Sequence, residues 1–177
     1  MSSKVSKENP SSSEIKEAVS IGVMAGIAGQ YVGNVVSNFL DKEPMTEVFV
    51  PDLGPAYYAN VIAGGITGIL ALFLDTNQLI IAATILNQIL IDLFIKLEKK
   101  PGYDSEELVY VIIRNSFSLI IILRIFEDIT KPFLSEEESF DYLLFEAIII
   151  GVIVNSSISV LNHFASLDDL REVCKRK

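Results

Sequence analysis

The sequence predicts an all-α, polytopic membrane protein built from five apolar helices, of which four or five are transmembrane. Half of the 177 residues are hydrophobic and only 21% are charged, whereas about a quarter of the residues in a soluble domain are charged. The apolar residues are concentrated in five long runs, and most of the charged residues lie between these runs. The runs are too long for typical strands and match the roughly 20 residues that a helix needs to cross a bilayer.

The five runs, which we call segments A to E, cover residues 18–40, 53–74, 76–95, 108–126 and 140–165. Segments A and B contain no charged residue, whereas C, D and E each contain one or two. Helices that are apolar all round must be buried in a large protein or in a membrane. Because this chain is too short to bury five such helices in its own core, the sequence favours a membrane.

The regions outside the segments are polar. Residues 1–14 are serine-rich and cannot bury enough apolar surface to become ordered, so we expect a flexible tail there. Residues 15–166 hold the five segments and form the predicted membrane domain. Residues 167–177 are predicted to form a short helix that ends in three basic residues, which suits an anionic lipid surface.

Four pairs of residues have the spacing of a capping box, in which an N-cap side chain and the third helical residue satisfy each other's backbone N–H groups. The pairs are Asp75 with Gln78, Asp104 with Glu107, Ser135 with Glu138, and Ser166 with Asp169. They predict helix starts at segments C, D and E and at the C-terminal helix. Since little besides the cap separates B from C, these two helices are predicted to form a tight antiparallel hairpin.

Lysine and arginine in the loops predict the orientation in the membrane. With five spans, the side that holds Lys42, the loop at 96–100 and the C-terminus has eight basic residues against four. If segment A is re-entrant or interfacial, four spans remain and the charge bias is cleaner, yet segment A has the length and apolarity of a span. We expect five spans, keep four as the alternative, and place the C-terminus on the cytoplasmic side or its equivalent.

Small residues recur at spacings of three and four along segments A and B. The stripes are Gly22, Gly26, Gly29 and Gly33 in segment A, and Asn60, Gly64 and Gly68 in segment B. In lipid, small residues allow two helix backbones to approach closely and so drive association by van der Waals contact. This glycine-zipper pattern predicts that A packs on B, or that either helix pairs with another subunit or another copy.

Ionisable residues within the apolar segments are costly in a membrane and usually face a partner or water. Asp92 and Arg114 lie at similar depths on consecutive segments, which predicts an ion pair between them, and Arg124 with Glu146 matches in the same way. Alternatively, the polar residues form a path that conducts protons or ions or binds a small solute. Its members are Thr84, Gln88 and Asp92, four residues apart on one face of segment C, with Arg114 and Ser118 on D and Asn155 and Ser159 on E.

Composition and motifs exclude several classes of function. The net charge of −9 opposes nucleic-acid binding, and one cysteine and one histidine cannot supply a structural zinc site. No nucleophile elbow, P-loop or HExxH motif occurs, so we expect neither an enzyme nor a bound cofactor.

We therefore predict a non-enzymatic structural or assembly protein, a membrane-embedded subunit of a larger complex, for example in a virion or organelle membrane. Its expected partners are the lipid bilayer and other membrane subunits or further copies of the chain. One alternative is a small oligomeric channel or transporter subunit. Another is a soluble helical protein that inserts into a membrane only when it oligomerises.

Overall fold

A computed structural model describes residues 10–51, 53–98, 102, 104–130 and 140–164. Helices account for most of these residues, and no strand occurs among them, which confirms the predicted all-helical fold. The helices are α1 (Ser12–Leu40), α2 (Met45–Val48), α3 (Pro55–Ala71), α4 (Thr76–Leu97), α5 (Ser105–Thr130) and α6 (Phe140–Phe164). The five long helices cover segments A to E in order, and α2 is a short helix that the sequence did not indicate.

Within the described residues, four helices are long and apolar enough to cross a membrane. These spans are Ser12–Leu40, Asn77–Leu97, Ser105–Phe126 and Leu143–Phe164. Helix α3 has 17 residues, which at 1.5 Å per residue gives about 25 Å, near the lower limit for a span. The chain leaves the helix after Ala71, so α3 is shorter than the apolar run of segment B.

Hydrogen bonds at the helix starts account for where α1, α4 and α5 begin. Ser11 and Glu14 form a capping box at α1, so this helix begins inside the stretch that the sequence assigns to the polar tail. At α4, the Asp75 carboxylate accepts a hydrogen bond from the backbone N–H of Gln78 at 2.9 Å, as the capping pattern predicted.

The predicted cap at α5 is also present, since the backbone N–H of Glu107 donates to the Asp104 carboxylate at 2.7 Å. The predicted caps at Ser135 and Ser166 and the predicted basic helix at 167–177 lie outside the described residues.

The five long helices form a ring in the order α1, α3, α4, α5, α6, and α6 packs back against α1. Successive long helices run antiparallel. Because five helices close the ring, the first and the last, α1 and α6, run parallel to each other. Helix α1 packs most closely, against both α3 and α6, whereas α5 and α6 contact each other only sparsely.

The bundle has small and polar residues inside and large apolar residues outside. Of the described residues, five hydrophobic ones are buried, against eight polar or charged ones. Helices α4 and α5 each expose a stripe of large apolar residues at every fourth position: Ile81, Ile85, Ile89, Leu93 and Leu97, and Val109, Ile113, Phe117, Ile121 and Ile125. A soluble protein has the opposite distribution, whereas lipid solvates an apolar exterior of this kind.

Candidate functional site in the bundle interior

The two predicted glycine stripes come together where α1 crosses α3. A methyl group on Gly22 or Gly26 would collide with a backbone carbonyl oxygen of α3, and one on Gly64 or Gly68 would collide with a carbonyl oxygen of α1. Asn60, the remaining residue of the segment B stripe, lies against Gly26. At these four glycines the helices therefore meet backbone to backbone, with no room for a Cβ.

The other two glycines of the α1 stripe face α6. A methyl group on Gly29 would collide with the carbonyl oxygen of Gly151, and one on Gly33 would stand 3.0 Å from Cβ of Asn155. The Ser159 hydroxyl donates a hydrogen bond to the carbonyl oxygen of Gly33 at 2.8 Å. The sequence placed Asn155 and Ser159 in the alternative polar path, whereas here they pack with Gly151 against α1 at the same spacing of four as the other stripes.

Helices of the same chain thus cover both parts of the α1 stripe. Small residues on α1 serve to build this bundle, and neither part is left open to a second copy. Any contact with another subunit therefore falls on the outer faces of the helices.

The buried polar residues gather in one half of the bundle. They are Gln30, Asn60, Thr84, Asn87, Gln88, Asp92, Asn115 and Ser116. All but Thr84 lie in the half where α1, α4 and α6 end and where α3 and α5 begin, which we call the polar half. Thr84 lies just before the middle of α4, in the other half of the bundle. The interior is therefore asymmetric along the axis of the bundle, polar towards one end and apolar towards the other.

An amide network joins α1 to α3 within the polar half. The Asn60 side-chain amide donates to Gln30 Oε1 at 2.5 Å, and Gln30 in turn donates to Asn34 Oδ1 at 2.5 Å. Asn60 also donates to the carbonyl oxygen of Ala56 at 2.9 Å. These bonds satisfy polar groups that would be costly to leave unpaired in an apolar environment.

Asp92 is bound by a residue of its own helix. The Lys96 ammonium donates to Asp92 Oδ2 at 2.5 Å, with the Asp92 side chain 11% exposed and that of Lys96 56% exposed. Gly102, after the end of α4, packs against the same carboxylate. Asp92 therefore lies near the boundary of the bundle, and no ion pair of 4.0 Å or less joins it to Arg114, the partner that the sequence predicted. Gln88, one turn earlier on α4, is buried.

Arg114 joins α5 to the C-terminal end of α6. Its guanidinium donates to Asn162 Oδ1 and, at 3.4 Å, to the carbonyl oxygen of Leu161. It also donates to Asn115 Oδ1 at 3.0 and 2.9 Å and lies 5.7 Å from the ring centroid of Tyr110. A cation is favourable at this end of a helix, because the last carbonyl groups carry partial negative charge.

Arg124 and Glu146, the second pair predicted from the sequence, form no ion pair with each other. Arg124 donates to Asn77 Oδ1 at 3.4 Å, which connects α5 to the start of α4. Glu146 is half-buried on α6. At the other end of the bundle, His163 Nδ1 lies 2.9 Å from Asp41 Oδ1 and connects the ends of α6 and α1.

Three buried polar atoms have no hydrogen-bond partner among the described residues. They are Asn87 Oδ1, Asn115 Nδ2 and Ser116 Oγ. Sequence reasoning missed all three residues, because an amide or hydroxyl on a membrane helix gives no pattern that separates a buried position from an exposed one.

A partly open cavity of about 340 Å³ lies between the helices of the ring, with residues from all five long helices in its wall. Glycine, alanine, isoleucine and leucine form most of the wall, and Asn60, Thr67, Thr84, Asn87 and Asn155 add polar side chains. None of the described residues in the wall is ionisable. No group of three or more potential metal ligands occurs in the described part of the chain. The cavity is thus suited to apolar contents rather than to ions.

Comparisons with protein-family models, with characterised proteins and with solved structures found no match. The class of protein is therefore inferred from the fold alone. Long apolar helices, an apolar exterior and a small-residue, polar interior define a multi-pass α-helical membrane protein.

Proposed function

We propose that this chain is a non-enzymatic membrane protein with a structural or assembly role, embedded as a subunit in a larger complex of a virion or organelle membrane. The main support is that Arg114 and Asp92 bind groups within the same bundle and that none of the described residues lining the cavity is ionisable. Arg114 binds the end of α6, and Asp92 binds Lys96 near the end of α4. Charges used in this way stabilise a packing unit and do not form an ion path.

The proposal includes five spans, with α3 as the shortest. Helix α3 contains no charged residue, and its length of about 25 Å falls at the short end of the range for a span. Only residues 72–75 separate it from α4, against which it packs, so the two serve as a helical hairpin. The excess of basic residues on one side of the membrane supports a C-terminus on the cytoplasmic side or its equivalent.

The proposed partners are the bilayer and other membrane subunits. They contact the outer faces of the helices, because helices of the same chain cover the glycine stripes. The test is to solubilise native membranes gently and measure the mass of the particle that contains the 19.5 kDa chain. We expect a particle heavier than one chain with its lipid, holding other membrane proteins in fixed ratio. A particle of one chain, recovered unchanged when membranes are cross-linked before solubilisation, would rule out the assembly role.

The second candidate is a channel or transporter subunit, and the unpartnered groups of Asn87, Asn115 and Ser116 favour it. Buried polar groups without partners destabilise a purely structural bundle, so they call for another role. Purified protein in liposomes should then conduct protons or potassium ions faster than empty liposomes do, and Asn115→Leu should reduce the flux. Liposomes that stay sealed until an ionophore is added would eliminate this candidate.

A further inference from the structure

We infer that the connection between α1 and α3 is a re-entrant loop, which dips into the bilayer and contacts the acyl chains of one leaflet. The structure describes residues 44–51, 53 and 54 of this loop. Its large apolar residues Met45, Phe49, Val50 and Leu53 are all more than half exposed. The inference goes beyond the assembly role and does not depend on it, because it assigns a lipid-contacting surface to a connection between two helices.

The chain reverses direction directly after α1. Lys42 has a φ of 60°, in the left-handed region. Its backbone N–H donates to the carbonyl oxygen of Phe39 at 3.2 Å, and that of Glu43 donates to the carbonyl oxygen of Asn38 at 3.0 Å. These two bonds form a Schellman motif, which ends a helix and redirects the chain. The loop therefore turns back along α1 and does not continue away from the bundle.

Side chains of α1 hold the loop alongside the last three turns of that helix. Asn38 donates to the carbonyl oxygen of Val48 at 3.4 Å, and the Tyr31 hydroxyl donates to that of Phe49 at 3.3 Å. Tyr31 precedes Asp41 by ten residues, which corresponds to about 15 Å of helix. Because helical side chains lean towards the N-terminus of their helix, Phe49 lies well inside the level at which α1 ends.

Helix α3 also begins inside the end of α1. The Asn60 side chain donates to Gln30, so these two residues mark a common level. Asn60 follows Pro55, the first residue of α3, by five residues, whereas Gln30 precedes the C-cap of α1 by eleven. Since the two helices are antiparallel, α3 begins about six residues, or about 9 Å, inside the end of α1. The loop occupies the depth that the short helix α3 leaves unfilled.

This level lies within the acyl chains. Residues 18–40 of α1 are uncharged and extend for about 35 Å, against about 30 Å for the hydrocarbon core of a bilayer. Centred in the bilayer, this part of α1 ends about 2 Å outside the core, so a point about 9 Å inside that end is surrounded by hydrocarbon. Met45 and Phe49, four residues apart, lie on one face of the loop's helical turn, and Glu47 lies on another. Apolar and charged side chains thus separate as they do in an interfacial helix.

The loop also satisfies much of its own backbone, as irregular structure in lipid must. The backbone N–H groups of Glu47, Val48 and Val50 donate to carbonyl oxygens of the loop at 2.7 to 3.1 Å. Asn38 and Tyr31 supply donors for three further carbonyl contacts, at residues 47, 48 and 49. Proline at positions 44 and 51 carries no N–H that would need a partner. These bonds replace the water that an ordinary exposed loop would use.

The sequence contains no tryptophan, which permits a direct test. Phe49→Trp places a single fluorophore in the loop, and Phe117→Trp, on the outer face of α5, is the matched reference within the bilayer. The whole chain is reconstituted in phosphatidylcholine nanodiscs with and without bromine on the acyl chains, and iodide serves as the quencher confined to water. We expect brominated lipid to quench both variants and iodide to quench neither.

A second measurement reports water access without tryptophan. On a Cys174→Ser background in sealed vesicles, an impermeant maleimide is added from either side. Glu43→Cys, at the end of α1, should react from one side, whereas Phe49→Cys should react from neither, because its thiol lies in hydrocarbon. Thermal unfolding of each variant shows whether the bundle remains folded.

Quenching of Phe49→Trp by iodide and not by brominated lipid would overturn the inference, since the loop would then lie in water. Quenching by neither would overturn it too, because protein, such as a second copy of the chain, would then cover the loop. Reaction of Phe49→Cys as fast as Glu43→Cys would have the same meaning as quenching by iodide. In each case Phe117→Trp shows separately that the bundle itself is embedded in lipid.

Discussion

At the scale of single residues, Arg114 supplies the polar connection between α5 and α6, where packing is sparse. Replacing it with glutamine removes charged hydrogen bonds to the end of α6. We expect the free energy of unfolding to fall by about 1.5 to 3 kcal/mol, the range for hydrogen bonds that involve a charge. Unfolding in mixed micelles with increasing mole fraction of dodecyl sulfate measures this change.

A double-mutant cycle separates this contact from the ion pair that the sequence suggested. Arg114→Gln combined with Asn162→Ala should deviate from additivity by at least about 0.5 kcal/mol, since the two side chains are bonded. Arg114→Gln combined with Asp92→Asn should be additive within about 0.5 kcal/mol. The reverse result, coupling to Asp92 and none to Asn162, would support the ion pair.

Two adjacent glycines of α3 test the backbone contact with α1. A Cβ on Gly64 would collide with a carbonyl oxygen of Gly22, whereas one on Gly65 would stand 3.2 Å from a methyl group of Val23. Gly64→Ala should therefore destabilise the bundle by about 1 to 3 kcal/mol through overpacking. Gly65→Ala should stay within about 1 kcal/mol of the unaltered protein, because alanine's helix propensity offsets the tighter contact. Equal thermal stabilities would argue against the close crossing.

The glycine stripes could be predicted from the sequence because spacing alone defines a helix face. The partners of Asp92 and Arg114 could not be predicted from the sequence. Position in the chain gives the depth of a side chain along its helix, but the direction in which the side chain points depends on which helices are its neighbours. In the ring, Arg114 lies beside the end of α6, whose register no sequence pattern specifies.

At the scale of elements, capping chemistry fixes the starts of helices, and this was predictable at Asp75 and Asp104. The start of α1 was missed because Ser11 and Glu14 lie within a stretch whose overall composition is that of a disordered tail. Helix α2 was missed because it is only four residues long. At the start of α1, local hydrogen bonding thus outweighed composition.

Whether α1 and α3 both cross the membrane can be tested by cysteine labelling in sealed vesicles. On a Cys174→Ser background, single cysteines replace Ser12, Glu43 and Phe73, and an impermeant maleimide is added from one side. We expect Glu43→Cys to react from the side opposite to Ser12→Cys and Phe73→Cys. If Ser12→Cys and Glu43→Cys react from the same side, α1 does not cross; if Phe73→Cys and Glu43→Cys do so, α3 does not.

At the scale of the whole molecule, the ring of helices and its cavity could not be derived from the sequence. Every long segment is apolar nearly all round, so the difference between inner and outer faces is small and carries little information about neighbours. What the sequence did predict is an apolar surface, because each segment is mostly apolar and contains at most two charged residues. In the structure many of the large apolar residues face outward, whereas glycine, alanine and amides lie inside together with the isoleucine and leucine residues of the cavity wall.

Because large apolar residues lie on the outer face, a charged substitution there has opposite expected effects in a membrane protein and in a soluble helical bundle. Phe117, near the middle of α5, is 67% exposed on the outer face. In a bilayer, Phe117→Lys places a charge at the depth where insertion costs about 2.5 to 3.5 kcal/mol, so the fraction of chain that resists extraction by alkaline carbonate should fall. Glu106→Lys, in the first turn of α5, should leave that fraction unchanged. In a soluble bundle, the lysine at 117 would instead increase solubility, and the unaltered chain would leave the membrane pellet in carbonate.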